Sequence, residues 1–148
     1  MLEIVVEHFG FTVSNMERSL RFYRDLLGME VFHDRVEERA EYAETITGIP
    51  GARFHIVHLV LKGAHLELIE YLNTKGGEDL PPRPCDVGSG HLCFLVSDIW
   101  AAYRWFSEKG VKFVSAPVKK EAGPYTQGWG VYFFDPDGIP LEMTERRK

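Results

Sequence analysis

Apolar and polar positions alternate at the start of the chain and then change period. Phe9, Phe11 and Val13 fall on one side of an extended segment, with His8, Gly10 and Thr12 on the other, the two-residue repeat of a strand. From Met16 the apolar residues Met16, Leu20, Tyr23 and Leu27 recur at spacings of 4, 3 and 4, which is one stripe of a helix, and Gly28 follows as a stop. Ser14 with Glu17 three residues later predicts a capping box at the start of that helix. Strand-like runs follow at residues 30–34, 54–61 and 65–72.

The same order then returns. At an offset of 83, His8, Phe11, Val13, Ser14 and Asn15 lie over His91, Phe94, Val96, Ser97 and Asp98, and Arg21 and Phe22 lie over Arg104 and Trp105. At an offset of 75, Gly63, Leu66, Glu67 and Leu68 lie over Gly138, Leu141, Glu142 and Met143. The second copy has its own helical stripe, Ile99, Ala102, Tyr103 and Phe106, ending at Gly110, and strand-like runs at 112–114, 131–134 and 140–144. Turns at Lys62-Gly63 and at residues 135–138 join the last two strands of each copy. The expected fold class is α+β: one domain, 1–148, built from a strand-helix-three-strand unit at 1–72, a Pro-containing connector at 73–89 and a second unit at 90–148. Residues 37–52 and 116–128 read as functional loops interrupting the two copies at equivalent places.

Composition narrows the function classes. With 148 residues, 45% hydrophobic and 13% aromatic, and a net charge of −5, the chain is neither disordered nor basic enough to grip a phosphate backbone, which argues against nucleic acid as a partner. Its apolar runs, such as 94–96 and 131–134, fall far short of the roughly 18 residues a membrane span needs. No basic segment precedes the first strand pattern, and Cys85 and Cys93 form no C-x-x-C pair, so the expected location is the cytoplasm.

Period two also assigns the faces of the repeated strands. Phe9, Phe11, Leu66, Leu68, Leu92, Phe94, Val96, Leu141 and Met143 are expected to face the helices, leaving His8, Glu67, His91 and Glu142 on the opposite side. A single His or Glu on a strand is ordinarily a solvated or hydrogen-bonded side chain. Four of them at duplicated positions form a set that a divalent cation would neutralise, and curled sheets would let all four reach one ion. The two-residue turn at Lys62-Gly63 pairs His58 across from Glu67, either as a hydrogen-bonding support behind that ligand or as an ordinary cross-strand contact. His33 is expected at the surface, and His55 and His65 have no counterpart in the second copy. Residues 123–129 read as a cleft-lining loop with Tyr125, Gln127 and Trp129 facing substrate, the alternative being a surface hairpin whose aromatics tuck into the core. Tyr71 shares the face of Glu67, and Cys93 that of His91, so both are candidates to line the cavity, Tyr71 as a substrate-binding residue.

The run from His8 to Val31, then Gly90-His91, the turn at 135–138 and Leu141-Glu142 resemble the vicinal oxygen chelate superfamily. That superfamily includes glyoxalase I, methylmalonyl-CoA epimerase, extradiol dioxygenases, fosfomycin-modifying enzymes and bleomycin-binding proteins. The resemblance covers nearly the whole chain. It implies paired βαβββ modules forming a curved mixed sheet around a metal-binding cleft, the glyoxalase/bleomycin resistance/dioxygenase fold, and commonly a homodimer. It also implies that His8, His91 and Glu142 match common ligands and that Glu67 matches the fourth ligand of glyoxalase I. The ion would be one Ni, Co, Zn, Mn or Fe. Thr12 stands where glyoxalase I has a glutathione-binding arginine, and Gly90 where the epimerase has a second histidine.

Four protein ligands leave an octahedral ion two free positions, which suits a small oxygenated metabolite passing through an enolate or enediolate. The leading expectation is therefore a metal-dependent isomerase, epimerase or lyase that moves a proton next to a carbonyl, with Glu142 or Glu67 as the base. An Fe(II) ring-cleaving dioxygenase would need Glu67 to stay off the metal. A non-catalytic resistance or binding protein would not need the metal set at all.

Overall fold

The protein is described by a computed structural model covering residues 2–74, 83–121 and 127–146. The chain divides into two compact units, Met1–Asp79 and Leu80–Lys148. Both are α+β, and each sheet combines one parallel pairing with antiparallel ones.

The first unit contains β1 (Phe9–Thr12), α1 (Met16–Leu20), β2 (Glu30–Glu37), α2 (Ala40–Thr47), β3 (Phe54–Leu61) and β4 (Ala64–Tyr71), with strand order β1-β4-β3-β2. Leu66 and Leu68 of β4, Val57 and Leu59 of β3, and Met16, Leu20 and Tyr23 are all buried, as the two periodicities require. The helix start differs from the expected capping box. Asn15, in extended conformation, accepts the Arg18 amide at 2.8 Å, while the Ser14 hydroxyl accepts from the Arg18 guanidinium. Beyond Leu20 the helix widens into a π turn over Arg21–Leu26, closed by Leu27 N–H donating to the Phe22 carbonyl, and the adjacent Phe22 and Tyr23 are both buried. Residues 2–7 lie outside the sheet, with Leu2, Ile4, Val5 and Val6 exposed. Phe9 is exposed as well, although its alternation placed it with the helix-facing residues.

The expected loop at 37–52 is largely structured. It holds α2, whose Ala43 joins Ala52, Phe54 and Ile56 in an apolar cluster, with Ile49, Ile69 and Tyr71 packed against it. Phe54, Ile56, Ile69 and Tyr71 share the strand face that carries His58 and Glu67. Glu37 is buried at the start of this segment and accepts hydrogen bonds from both the Arg35 and Arg39 side chains and from the Arg39 amide. Those bonds hold its carboxyl down at about 2, against an ordinary 4.5. A depressed carboxyl stabilises the fold above its unfolded pKa and loses that contribution as pH falls through the folded value. Glu37→Gln is thus expected to lower stability at neutral pH and to flatten its decline between about pH 4.5 and pH 2 in urea titrations, whereas an unchanged slope would exclude this ion pair as an acid-sensitive element.

The second unit contains β5 (Leu92–Leu95), α3 (Ile99–Glu108), β6 (Lys112–Phe113), β7 (Val118–Lys119), β8 (Trp129–Phe134) and β9 (Pro140–Glu145). Its order is β5-β9-β8-β6, with β7 also paired to β8, so part of the expected loop at 116–128 is strand. Ile99, Phe106, Val131, Phe133, Leu141 and Met143 form its buried side.

The duplication extends to helix capping. Asp98 caps α3 through the Ala101 amide, as Asn15 caps α1. In each unit a glutamate from the last strand also reaches the first helical amide: Glu70 accepts from Met16 N–H at 2.9 Å, and Glu145 from Ile99 N–H at 2.7 Å.

Candidate functional site

Each unit presents one histidine-glutamate pair on the sheet face opposite the helix that follows its first strand, α1 in the first unit and α3 in the second. His8 lies one residue before β1, whose Gly10 is in register with Glu67 of β4; the two side chains approach with His8 Nε2 3.4 Å from Glu67 Oε2. His91 lies one residue before β5, whose Cys93 is in register with Glu142 of β9, and His91 Nε2 is also 3.4 Å from Glu142 Oε2. Two ligand atoms each about 2.0–2.2 Å from one ion lie about 2.8–3.1 Å apart at octahedral and about 3.3–3.6 Å apart at tetrahedral angles. Both pairs therefore have the spacing of two ligands at a tetrahedral angle and lie a few tenths of an ångström wider than an octahedral ion would hold them. Each glutamate is mostly shielded from solvent, with side-chain exposures of 15% for Glu67 and 16% for Glu142, so an ionised carboxylate there needs a cationic partner.

Around Glu67 the partners are imidazoles. His58 pairs directly across from it in the β3–β4 register, as the turn length predicts, with Nε2 3.6 Å from Glu67 Oε1. Burial lowers the pKa of His58, outweighing the attraction of Glu67, and favours its neutral form. The hydrogen bond to Glu7 raises that of His8, against burial and with help from Glu67. His65, two residues before Glu67 and so on its face, places Nε2 3.0 Å from His58 Nδ1. A β-bulge between Val31 and His33 turns Phe32 over the same group, its ring 4.8 Å from that of His65 and 5.6 Å from that of His58. His33 is exposed, as expected.

Around Glu142 the partners are different. Tyr132 occupies the position equivalent to His58, in register with Glu142, and its hydroxyl lies 3.3 Å from His91 Nε2. Lys120 Nζ donates to Glu142 Oε1 at 2.8 Å, leaving Oε2 toward His91. Burial disfavours ionisation of Glu142, but the Lys120 hydrogen bond and charge, the Cys93 thiol and His91 together bring its pKa below the ordinary value. Burial and then the Glu142 charge push Cys93 up to about 11, which keeps it a thiol.

Lys120 reaches Glu142 because residue 130 is glycine. A Cβ there would lie 2.4 Å from Lys120 Cε. Gly130→Ala is expected to swing the lysine away and raise the Glu142 pKa, read by carbon NMR of the carboxyl; an unchanged titration would show that the ion pair does not depend on this gap.

The remaining expected residues are less central. Trp129 lies on the helix side of β8, edge-on to Trp100 at 5.5 Å and on the face of Val131 and Phe133, so it belongs to the packing of α3 and not to the Glu142 face. Tyr71 shares the Glu67 face but packs against Phe54 and the α2 cluster. Gln127 adopts φ 72° immediately before the final hairpin, and Tyr125 lies outside the described residues.

Glu7, His65, Lys120 and Tyr132 were absent from the expected site. His65 was accessible through the same two-residue period that placed Glu67, and Tyr132 through hairpin register once the longer 135–138 turn is allowed for. No helix among the described residues is long and apolar enough to cross a membrane.

The chain belongs to the Glyoxalase/Bleomycin resistance protein/Dioxygenase superfamily, whose family pattern it matches over residues 5–143. It is 28% identical over 145 residues to a 2-epi-5-epi-valiolone epimerase of Actinomyces sp, covering 95% of this chain and 78% of that one. It is 30% identical over 142 residues to a lactoylglutathione lyase of Haemophilus influenzae, covering 95% and 91%. A glyoxalase family protein from Bacillus cereus shares the fold at a TM-score of 0.84 and 15% identity, covering 100% of this chain and 97% of that one.

Proposed function

We propose that the protein is a divalent-metal-dependent isomerase, epimerase or lyase acting on a small oxygenated metabolite, with His8, Glu67, His91 and Glu142 as the metal ligands. The observation that carries this reading is the matched 3.4 Å His Nε2–Glu Oε2 spacing in the two units. Relatives that include an epimerase and a lactoylglutathione lyase agree with it. A bound cation would stabilise the negative charge that develops on a substrate oxygen when the neighbouring carbon loses its proton.

Glu67 is the residue we assign as base. Glu142 is tethered through Oε1 to Lys120, which restrains its movement and weakens it as a proton acceptor. Glu67 faces His8 and His58 and has no lysine or arginine partner among the described residues, so it is better able to leave an ion and accept a proton.

The test is proton-deuterium exchange next to the carbonyl, followed by NMR in D2O. The metal-loaded chain is offered the hemithioacetal of methylglyoxal and glutathione, a 2-methyl-branched dicarboxylic CoA thioester and 2-epi-5-epi-valiolone. Exchange or turnover of one of them supports the reading. No exchange in any, together with oxygen uptake on a catechol, would move the protein to the ring-cleaving class.

A further inference from the structure

The first unit carries more metal-ligating groups than the proposed function uses. His8, His58, His65, Glu7 and Glu67 form a closed ring of contacts. Glu67 faces His8 Nε2 and His58 Nε2; His58 Nδ1 lies 3.0 Å from His65 Nε2; His65 Nδ1 lies 3.0 Å from Glu7 Oε1; and Glu7 Oε2 contacts His8 Nδ1. Within this ring Glu7, His8 and His65 bring one ligand atom each to within 4.8 Å of one another.

The geometry points to a second cation site, made of the Glu7 carboxylate, His8 Nδ1 and His65 Nδ1, that takes Zn2+ or a similar borderline transition metal within the first unit alone. Two imidazoles and one carboxylate are a donor set that zinc accepts with a position left for water. The nitrogens not used for binding already have acceptors. With Nδ1 on a metal, His65 Nε2–H is aimed at His58 Nδ1, and His58 Nε2–H in turn faces Glu67. His8 Nε2–H faces Glu67 directly. His65 is thus backed by the His58 imidazole and His8 faces the Glu67 carboxylate, outer partners of the kind that fix ring orientation and strengthen a histidine ligand. Phe32 edges His65 and shields that side of the group.

The second site shares His8 with the first. A neutral imidazole has one lone pair to give, at Nε2 toward Glu67 or at Nδ1 toward Glu7 and His65, but not at both together. The two coordination modes are therefore mutually exclusive, and the second acts as a capture site that needs no residue of the second unit. Only this exclusivity rests on the proposed function; the site itself does not.

The experiment is Zn2+ titration against a chromophoric chelator, using the full chain with His91→Ala and Glu142→Ala, which removes the second unit's ligands. The expected result is that this variant still binds one Zn2+, and that adding Glu7→Gln and His65→Ala lowers its affinity at least about tenfold. Circular dichroism confirms the fold of each variant. If the double variant does not fold, His91→Ala alone serves as the background, since that side chain is 40% exposed. No Zn2+ binding in a folded background overturns the site, and so does binding unaffected by the Glu7 and His65 changes. Failure of the proposed function is read separately, as a parent chain whose affinity does not depend on His91 or Glu142.

Discussion

Glu67→Gln is expected to slow substrate proton exchange by about 10²- to 10⁴-fold, the usual contribution of a positioned general base. The amide keeps the shape of the side chain and an oxygen that can face a cation, but it has almost no affinity for a proton. Metal content measured on the same sample separates the two roles of the residue. Retained metal with lost exchange assigns Glu67 as base. Exchange within a few-fold of the parent would shift that role to Glu142 and remove the argument built on the Lys120 tether.

The second large effect concerns stability. Phe133 is fully buried and meets three other aromatic rings, Phe94, Phe106 and Phe113, at centroid distances of 6.3, 6.4 and 5.5 Å. Truncation to alanine removes a large apolar side chain from a site where β8 and α3 hold the cavity open. The expected cost is about 3–5 kcal/mol, a large share of the stability of a chain this size. Urea unfolding followed by circular dichroism measures it, and a loss below about 1 kcal/mol would mean that the aromatic cluster collapses to fill the space.

Leu141 and Met143, in register with Phe133 and Val131, are legible in the sequence because they alternate with polar residues along a strand, and such a pattern reports burial directly, whereas the continuous apolar run 131–134 does not single out Phe133. The same period placed Glu67 and Glu142 on the opposite face, and the 3.4 Å pairs with His8 and His91 follow from parallel register between strands far apart in the chain. What escaped depends on departures from periodicity. The bulge at Phe32 adds a residue that shifts side chains across a strand, α2 lies in a segment without a clear apolar stripe, and Lys120 acts from an irregular stretch through a gap left by Gly130. Asn15 and Ser14 are both good caps, and only the extended backbone at Asn15 decides between them. Trp129 is ambiguous in the sequence because an aromatic beside a glycine-rich loop satisfies a substrate-facing reading as well as a packing one; its strand parity with Phe133 favours the second.

The carboxylates at the helix starts bear on how each unit folds. Met16 is capped by Glu70 from 54 residues further along, and Ile99 by Glu145 from 46 residues further along. Neither helix has its full cap until the last strand of its own unit is docked. Closing so long a loop is entropically costly, so each of these caps forms only as the last strand of its unit docks. The strand that ends a unit thus also finishes the helix near that unit's start.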